Sequence, residues 1–273
     1  MAELADAPGL ESGASKGVRV QIPLPTVVPQ RGAASVPAHN RRFPIRLRAL
    51  RLDADDDQVQ GGEMREATDI VVVLDKSGSM GFTKDDVIGG FNRFLEEQKA
   101  LPGECSLSLV LFDGECEMRP SVPIRDVAPL TDKTYIPSGM TALLDALGMA
   151  INDTGKRLAA LDEAQRPNKV LVVVITDGNE NSSKEHALET VRNMVNHQQD
   201  KYSWQFMFLG ANINSFAEAG QLGFSALSTA NFDQNKKGIR SMYCGLSAAA
   251  TSYRKSGRLG EDWRSVVDKG DKQ

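Results

Sequence analysis

Ile70-Val71-Val72-Val73-Leu74 runs directly into Asp75-Lys76-Ser77-Gly78-Ser79-Met80, and this junction decides the fold. Five consecutive apolar residues, preceded by Asp69, read as a strand buried on both faces, as in a parallel sheet covered by helices. The switch to Asp, Ser and Gly marks the carboxyl end of that strand. Open α/β sheets collect their functional loops there.

Working outward, apolar runs alternate with amphipathic stretches from Asp69 onward. Thr83-Lys84-Asp85-Asp86 reads as a capping box for a helix to about Lys99, with Val87, Phe91, Phe94 and Leu95 on one face. Residues 107–112 and 116–124 flank Asp113-Gly114, a hairpin signal. A two-residue turn there would set Cys116 opposite Leu111 and Cys105 opposite Val122. Pro120 and Pro123 confine the second strand to a sheet edge. A helix is expected from about Thr141, with Leu143, Leu147, Ala150, Ile151, Thr154 and Leu158 at helical spacing, then a buried strand over 169–175 that ends at Thr176-Asp177-Gly178.

Residues 182–185 resemble a second capping box, for a helix to about Gln199. A strand over 204–209 carries Trp204, Phe206 and Phe208 into the core. Helices over 215–221 and 236–253 flank a last short strand near 224–228. The fold class expected is therefore α/β: a three-layer, doubly wound, mostly parallel six-stranded sheet with one antiparallel edge strand, Rossmann-like in character.

Residues 1–66 differ in kind. Pro, Gly, Ser, Ala and Arg dominate without a lasting period, so a mostly disordered segment is expected. Every charge from Lys16 to Arg51 is positive, and Asp53, Asp55, Asp56 and Asp57 follow. A solvated linker and a basic arm for an acidic partner, with residues 43–48 as a docking strand, are both compatible with this pattern. Gly61-Gly62-Glu63-Met64 adds a third reading, in which those codons form a ribosome-binding site and Met64 is the start. The main domain is placed at 67–255, and 256–273 reads as a polar tail.

Composition narrows the function. A net charge of −4 and a pI near 5.5 give no sign of a nucleic-acid binder. The longest wholly apolar run, Val170 to Ile175, is far short of the ~20 residues a membrane span needs. Acidic residues and Pro8 stand where an export signal would place a basic region and an apolar run, and three cysteines make no disulfide framework. A cytoplasmic location is expected, with the thiols as small core residues. His39, His186 and His197 lack zinc-site spacing. His186 and His197 are expected to share a helix as surface residues.

Chemistry gathers at Asp75, Ser77 and Ser79 after the first strand, Thr141 at a helix start and Asp177 after the buried strand, distant positions that one sheet edge can bring together. Asp75-Lys76-Ser77-Gly78-Ser79 resembles the Asp-x-Ser-x-Ser motif of von Willebrand factor A domains. Ser138-Gly139-Met140-Thr141-Ala142-Leu143 and Ile175-Thr176-Asp177-Gly178 match that family's second and third motifs, in order, and the likeness runs from about residue 67 to 253. Stretches 85–95 and 202–212 also look similar to stand-alone bacterial and phage members, a likeness that brings no function.

The resemblance implies a metal-ion-dependent adhesion site. Ser77, Ser79 and Thr141 would coordinate directly or through water, and Asp75 and Asp177 would act mainly from behind them. Mg²⁺, or Mn²⁺, suits such oxygen donors. The implied function is a metal-dependent protein-binding module whose cation bridges to an Asp or Glu carboxylate of a protein partner. Gly78 and Gly139 would let the loops approach the ion, or simply make turns. The helix start at Thr141 would favour an anionic ligand, and Met140 could line the ligand face.

Two alternatives stand beside this: a structural component of a larger assembly, such as a phage particle or stress-response complex, and a phosphohydrolase-type enzyme with Asp75 as nucleophile. The enzyme reading is disfavoured, because such enzymes place an Asp two positions on, where this chain has Ser77. A Walker A loop is absent, so the chain is not a motor subunit. The sequence carries no reading of oligomeric state.

Overall fold

A computed structural model describes residues 66–211 and 214–268. The basic arm, the strand at 43–48, the disorder expected before Glu66 and the alternative start at Met64 lie outside the described residues.

Six strands form one sheet: β1 (Ala67–Asp75), β2 (Glu104–Phe112), β3 (Cys116–Pro123), β4 (Lys169–Thr176), β5 (Gln205–Gly210) and β6 (Thr229–Asn231). Their order is β3-β2-β1-β4-β5-β6, and every pairing is parallel except β2 with β3. Helices α1 (Lys84–Lys99), α2 (Leu143–Ala159), α3 (Leu188–Tyr202), α4 (Ser215–Gln221), α5 (Lys236–Ser256) and α6 (Trp263–Asp268) surround it. This is the three-layer α/β architecture expected.

All nine residues of β1 are buried, and alternation along it feeds two cores. Ile70, Val72 and Leu74 join Phe91, Phe94 and Leu95 of α1 and Met242, Leu246 and Ala250 of α5. Val71 and Val73 join Leu143, Leu147 and Ile151 of α2 and Val191 and Val195 of α3. Trp204, Phe206 and Phe208 belong to the second core. The chain leaves β1 toward β2 on one side and returns to β4 on the other, so the carboxyl ends of β1 and β4 are neighbours at the switch point of the sheet.

Local departures from expectation have local causes. The hairpin loop has three residues: Asp113 N–H donates to the Glu115 carbonyl (3.0 Å) and Glu115 N–H to Asp113 Oδ1 (2.9 Å). Cys116 therefore faces Phe112 rather than Leu111, and after an irregularity between Leu107 and Leu109 Val122 faces Leu107 rather than Cys105. Pro120 falls in that irregular stretch, where a missing N–H costs no ladder bond. All three cysteines are free, and burial pushes the Cys105 thiol up to about 11. Thr83 precedes α1 without a side-chain cap. The last strand starts at Thr229, after a 3₁₀ turn over Ala226–Ser228 where the strand was expected.

The expected polar tail is partly helix. Trp263 and Val267 of α6 are buried, and Gly245 of α5 makes room for them: a Cβ there would lie 2.5 Å from Val267 Cγ2. Two apolar residues one helical turn apart were enough to bring α6 onto α5, despite its polar surroundings. Among the described residues no helix is long and apolar enough to cross a membrane.

The second capping box is also replaced. α3 begins at Leu188, not near Ser182, so His186 precedes the helix that holds His197. His186 is half-buried, with its ring against Gly148 of α2. The segment before α3 is held instead by Asp145, whose carboxylate accepts the amides of Lys184 (2.7 Å), Glu185 (2.9 Å) and His186 (2.8 Å). Burial pushes the Asp145 carboxyl up, but these amides and the His186 side chain outweigh it and hold it below its ordinary value.

Asp145→Ala should lower unfolding free energy by about 1–3 kcal/mol, read from denaturant midpoints at unchanged slope. Because its folded pKa lies below the unfolded value near 3.8, the contribution is complete above that pH and is lost as pH falls through the lower folded value. The gap between wild type and variant should close on acidification, and a gap constant down to pH 2 would contradict this origin.

Candidate metal centre

The site starts where β1 ends. Asp75 is fully buried, and both carboxylate oxygens accept hydrogen bonds: Oδ1 from Ser77 N–H (2.6 Å) and Oδ2 from the Thr176 hydroxyl (2.6 Å) at the end of β4. Tyr135, itself fully buried, donates its hydroxyl to the Asp75 carbonyl at 2.7 Å. The chain then winds into a 3₁₀ turn over Gly78–Thr83 that carries Ser79 outward.

Ser77 and Ser79 place their hydroxyl oxygens 3.1 Å apart. Ser79 donates to Asp177 Oδ1 at 2.6 Å, and the Gln234 side-chain amide donates to Asp177 Oδ2 and to the Ser79 carbonyl (3.0 Å). Thr141 is buried and gripped by Asn181, which accepts Thr141 N–H at Oδ1 (2.9 Å) and donates its own N–H to the Thr141 carbonyl (3.0 Å). The Thr141 hydroxyl lies over Gly178, where a Cβ would approach it to 3.1 Å. Asp75, Ser77, Ser79 and Asp177 are thus linked through hydrogen bonds at one edge of the sheet, with Thr141 beside the residue that follows Asp177.

Backbone contacts lock the loops together. Gly78 N–H donates to the Gly139 carbonyl (3.2 Å), Ser138 N–H to the Lys76 carbonyl (2.8 Å) and Lys76 N–H to the Phe112 carbonyl (2.7 Å). Gly139 has φ +67°, a conformation other residues rarely adopt, and sits against Asp113. Asp113 takes the Lys76 ammonium at 2.6 Å and the Ser138 hydroxyl at 2.8 Å. Burial raises the Asp113 carboxyl, yet Lys76, the Glu115 amide and Ser138 together hold it below the usual range. Lys76, the basic residue nearest in sequence to Asp75, is thereby committed to Asp113.

Consequently neither Asp75 nor Asp177 has an ion pair among the described residues. Burial pushes the Asp75 carboxyl up to about 6; Thr176 and Ser77 oppose the shift and the charge of Asp177 adds to it. Burial likewise raises Asp177, against hydrogen bonds from Ser79 and Gln234. Among the described residues no three His, Cys, Asp or Glu side chains gather to hold a metal. A cation at this edge would therefore rest on serine and threonine hydroxyls backed by two carboxylates. That donor set suits a hard divalent ion, whose two charges match the two carboxylates.

The start of α2 differs from expectation. Glu180 Oε2 accepts Leu144 N–H (2.8 Å), the Ser183 hydroxyl accepts Asp145 N–H (3.0 Å) and the Asp113 carbonyl accepts Ala142 N–H (2.7 Å). A carboxylate already occupies the positive end of this helix, so it is not open to an anionic ligand. The sequence assigned Tyr135 and Gln234 no role, Asp113 only a place in a hairpin turn and Thr176 only a place in a motif. Thr176 lies inside the third motif and faces the last residue of β1, a signal that was present. Tyr135 and Gln234 lie in loops whose partners no local pattern announces.

No protein-family model matches the chain, and no curated protein matches it. Among solved structures it is similar to proximal thread matrix protein 1 from the mussel byssus, at 14% identity and a TM-score of 0.49 over 69% of this chain and 49% of that one. A von Willebrand factor type A structure from Catenulispora acidiphila gives 11% and 0.48 over 68% and 43%. Manganese-loaded TRAP protein from Plasmodium vivax gives 15% and 0.41 over 63% and 70%. The chain spans less than half the length of the first two. Likeness at these levels concerns the course of the backbone alone.

Proposed function

We propose that the chain is a metal-dependent protein-binding module of von Willebrand factor A type. Mg²⁺ or Mn²⁺ is held by Ser77, Ser79 and Thr141 with Asp75 and Asp177 behind them, and it bridges to an Asp or Glu of a protein partner. One observation carries this reading: two buried carboxylates share an edge with three hydroxyls and lack any basic partner among the described residues. Burying uncompensated charge is costly, and a divalent cation supplies the missing compensation.

The hydroxyl orientation favours the same role. Ser79 directs its proton to Asp177 and accepts the Ser77 hydroxyl on one lone pair, which leaves the other for a cation. Neutral first ligands leave the ion electrophilic, and when bound it supplies an open position for an incoming carboxylate. Ser77 standing where a phosphohydrolase would carry a second Asp turns the site toward binding and away from covalent turnover. The loops that carry the site also expose apolar side chains: Phe82 is 97% exposed, Ile136 58% and Met140 54%. Apolar groups beside a charged centre suit a protein surface better than a small ion.

Titration calorimetry with Mg²⁺ or Mn²⁺ tests the centre. Wild type should bind one ion, and Asp75→Ala and Thr141→Ala should each lose roughly tenfold or more. Equal affinity in all three proteins would sink the assignment. In metal-free protein, Asp75→Asn should match or exceed wild type in stability above pH 6. That advantage should shrink from pH 6 toward 4, because burying ionised Asp75 costs stability only above its unfolded value near 3.8, and the cost is complete above the folded value of about 6. Saturating Mg²⁺ should stabilise wild type more than Asp75→Asn. For the partner, affinity capture with and without chelator is decisive: specific capture should vanish with the metal and weaken in Phe82→Ser, whereas chelator-insensitive capture would argue against bridging.

A further inference from the structure

We infer that Gln234 is a positioning residue that keeps Asp177 from ligating the cation directly, and so preserves the open position that a partner carboxylate occupies. This rests on the metal-centre reading above. The starting point is that both oxygens of Asp177 are already engaged, Oδ1 by the Ser79 hydroxyl at 2.6 Å and Oδ2 by the Gln234 amide. The same amide nitrogen reaches the Ser79 carbonyl at 3.0 Å. Its two hydrogens thereby join the loop after β1 to the loop after β4, from a third loop that follows β6.

Gln234 is held in place by its surroundings. Phe232 N–H donates to the Gly210 carbonyl at 2.9 Å, and Asn235 N–H to the Asp233 carbonyl at 2.8 Å. Asn235 caps α5 by accepting the amides of Lys237 (3.0 Å) and Gly238 (2.9 Å). Gly238 closes so tightly on Asp233 that a Cβ would lie 2.1 Å from its carbonyl oxygen. These contacts hold the loop on either side of Gln234, and its bonds to Asp177 and Ser79 direct the amide.

The chemical identity of the group matters. A lysine or arginine in this place would cancel one of the two charges that attract the cation. A glutamate would add a third charge, and an apolar residue would leave Oδ2 free to turn onto the ion. The neutral amide anchors Asp177 without changing the charge of the site. Direct ligation by Asp177 would add an anionic ligand, bind the ion more tightly and weaken its pull on an external carboxylate.

The test compares wild type with Gln234→Leu in two measurements: Mn²⁺ affinity by calorimetry, and acetate binding to the Mn²⁺-loaded protein by water-proton relaxation. The variant should bind Mn²⁺ on the order of tenfold more tightly, and acetate correspondingly more weakly. An ordinary supporting hydrogen bond would instead weaken Mn²⁺ binding, by about 10- to 100-fold. Mn²⁺ affinity that falls or stays level would overturn the inference, as would undiminished acetate binding. A wild type that binds no Mn²⁺ would overturn the metal-centre reading as well, and that outcome is distinct because it is seen before any substitution is made.

Discussion

The hydrogen bond from the Thr176 hydroxyl to Asp75 Oδ2 ties the ends of the two central strands, and the geometry of the site depends on it. β1 and β4 are neighbours because the chain reverses its direction of travel across the sheet between them. Their carboxyl ends meet where helices on both faces have excluded water. An ionised carboxylate placed there has to be fixed by donors, and Asp75 uses both oxygens to meet that demand. With Asp75 fixed, Ser77 is fixed through its amide, and the turn that follows carries Ser79 toward Asp177.

Asp113 provides a second constraint of comparable reach. It closes the β2–β3 loop, holds Lys76, accepts the Ser138 hydroxyl and, through its carbonyl, receives the amide of Ala142 at the start of α2. Its withdrawal of the lysine charge from the neighbourhood of Asp75 leaves the two site carboxylates without a basic partner among the described residues. On the far side, Glu180, Asn181 and Ser183 satisfy the first amides of α2 and hold Thr141 in register. Firmly held surroundings and an uncompensated pair of buried charges suit the proposed cation site.

Period and composition were sufficient for the strands and most helices, since a fully apolar run and a 3.6-residue stripe are written into adjacent residues. They were insufficient wherever a side chain far along the chain replaced a local signal. The residues that looked like a cap before α3 were superseded by Asp145 of α2, which takes three successive amides. The hairpin is the local exception: it lengthened by one residue because the Asp113 carboxylate accepts the Glu115 amide two positions on. In α6, Trp263 and Val267 sit in a polar stretch too short to show a stripe, and only the gap at Gly245 reveals where they go.

The sequence by itself determined the mixed six-stranded sheet and its antiparallel edge, because apolar runs and turn signals are encoded by neighbours in the chain, and it marked Asp75, Ser77, Ser79, Thr141 and Asp177 as the candidates for one edge. Tertiary structure decided how those residues are held: Thr176 and Tyr135 on Asp75, Glu180 on the helix start, and Gln234 on Asp177. These partners come from separate loops, and a hydrogen bond between loops is specified by the sheet order that brings them together rather than by any pattern within either one.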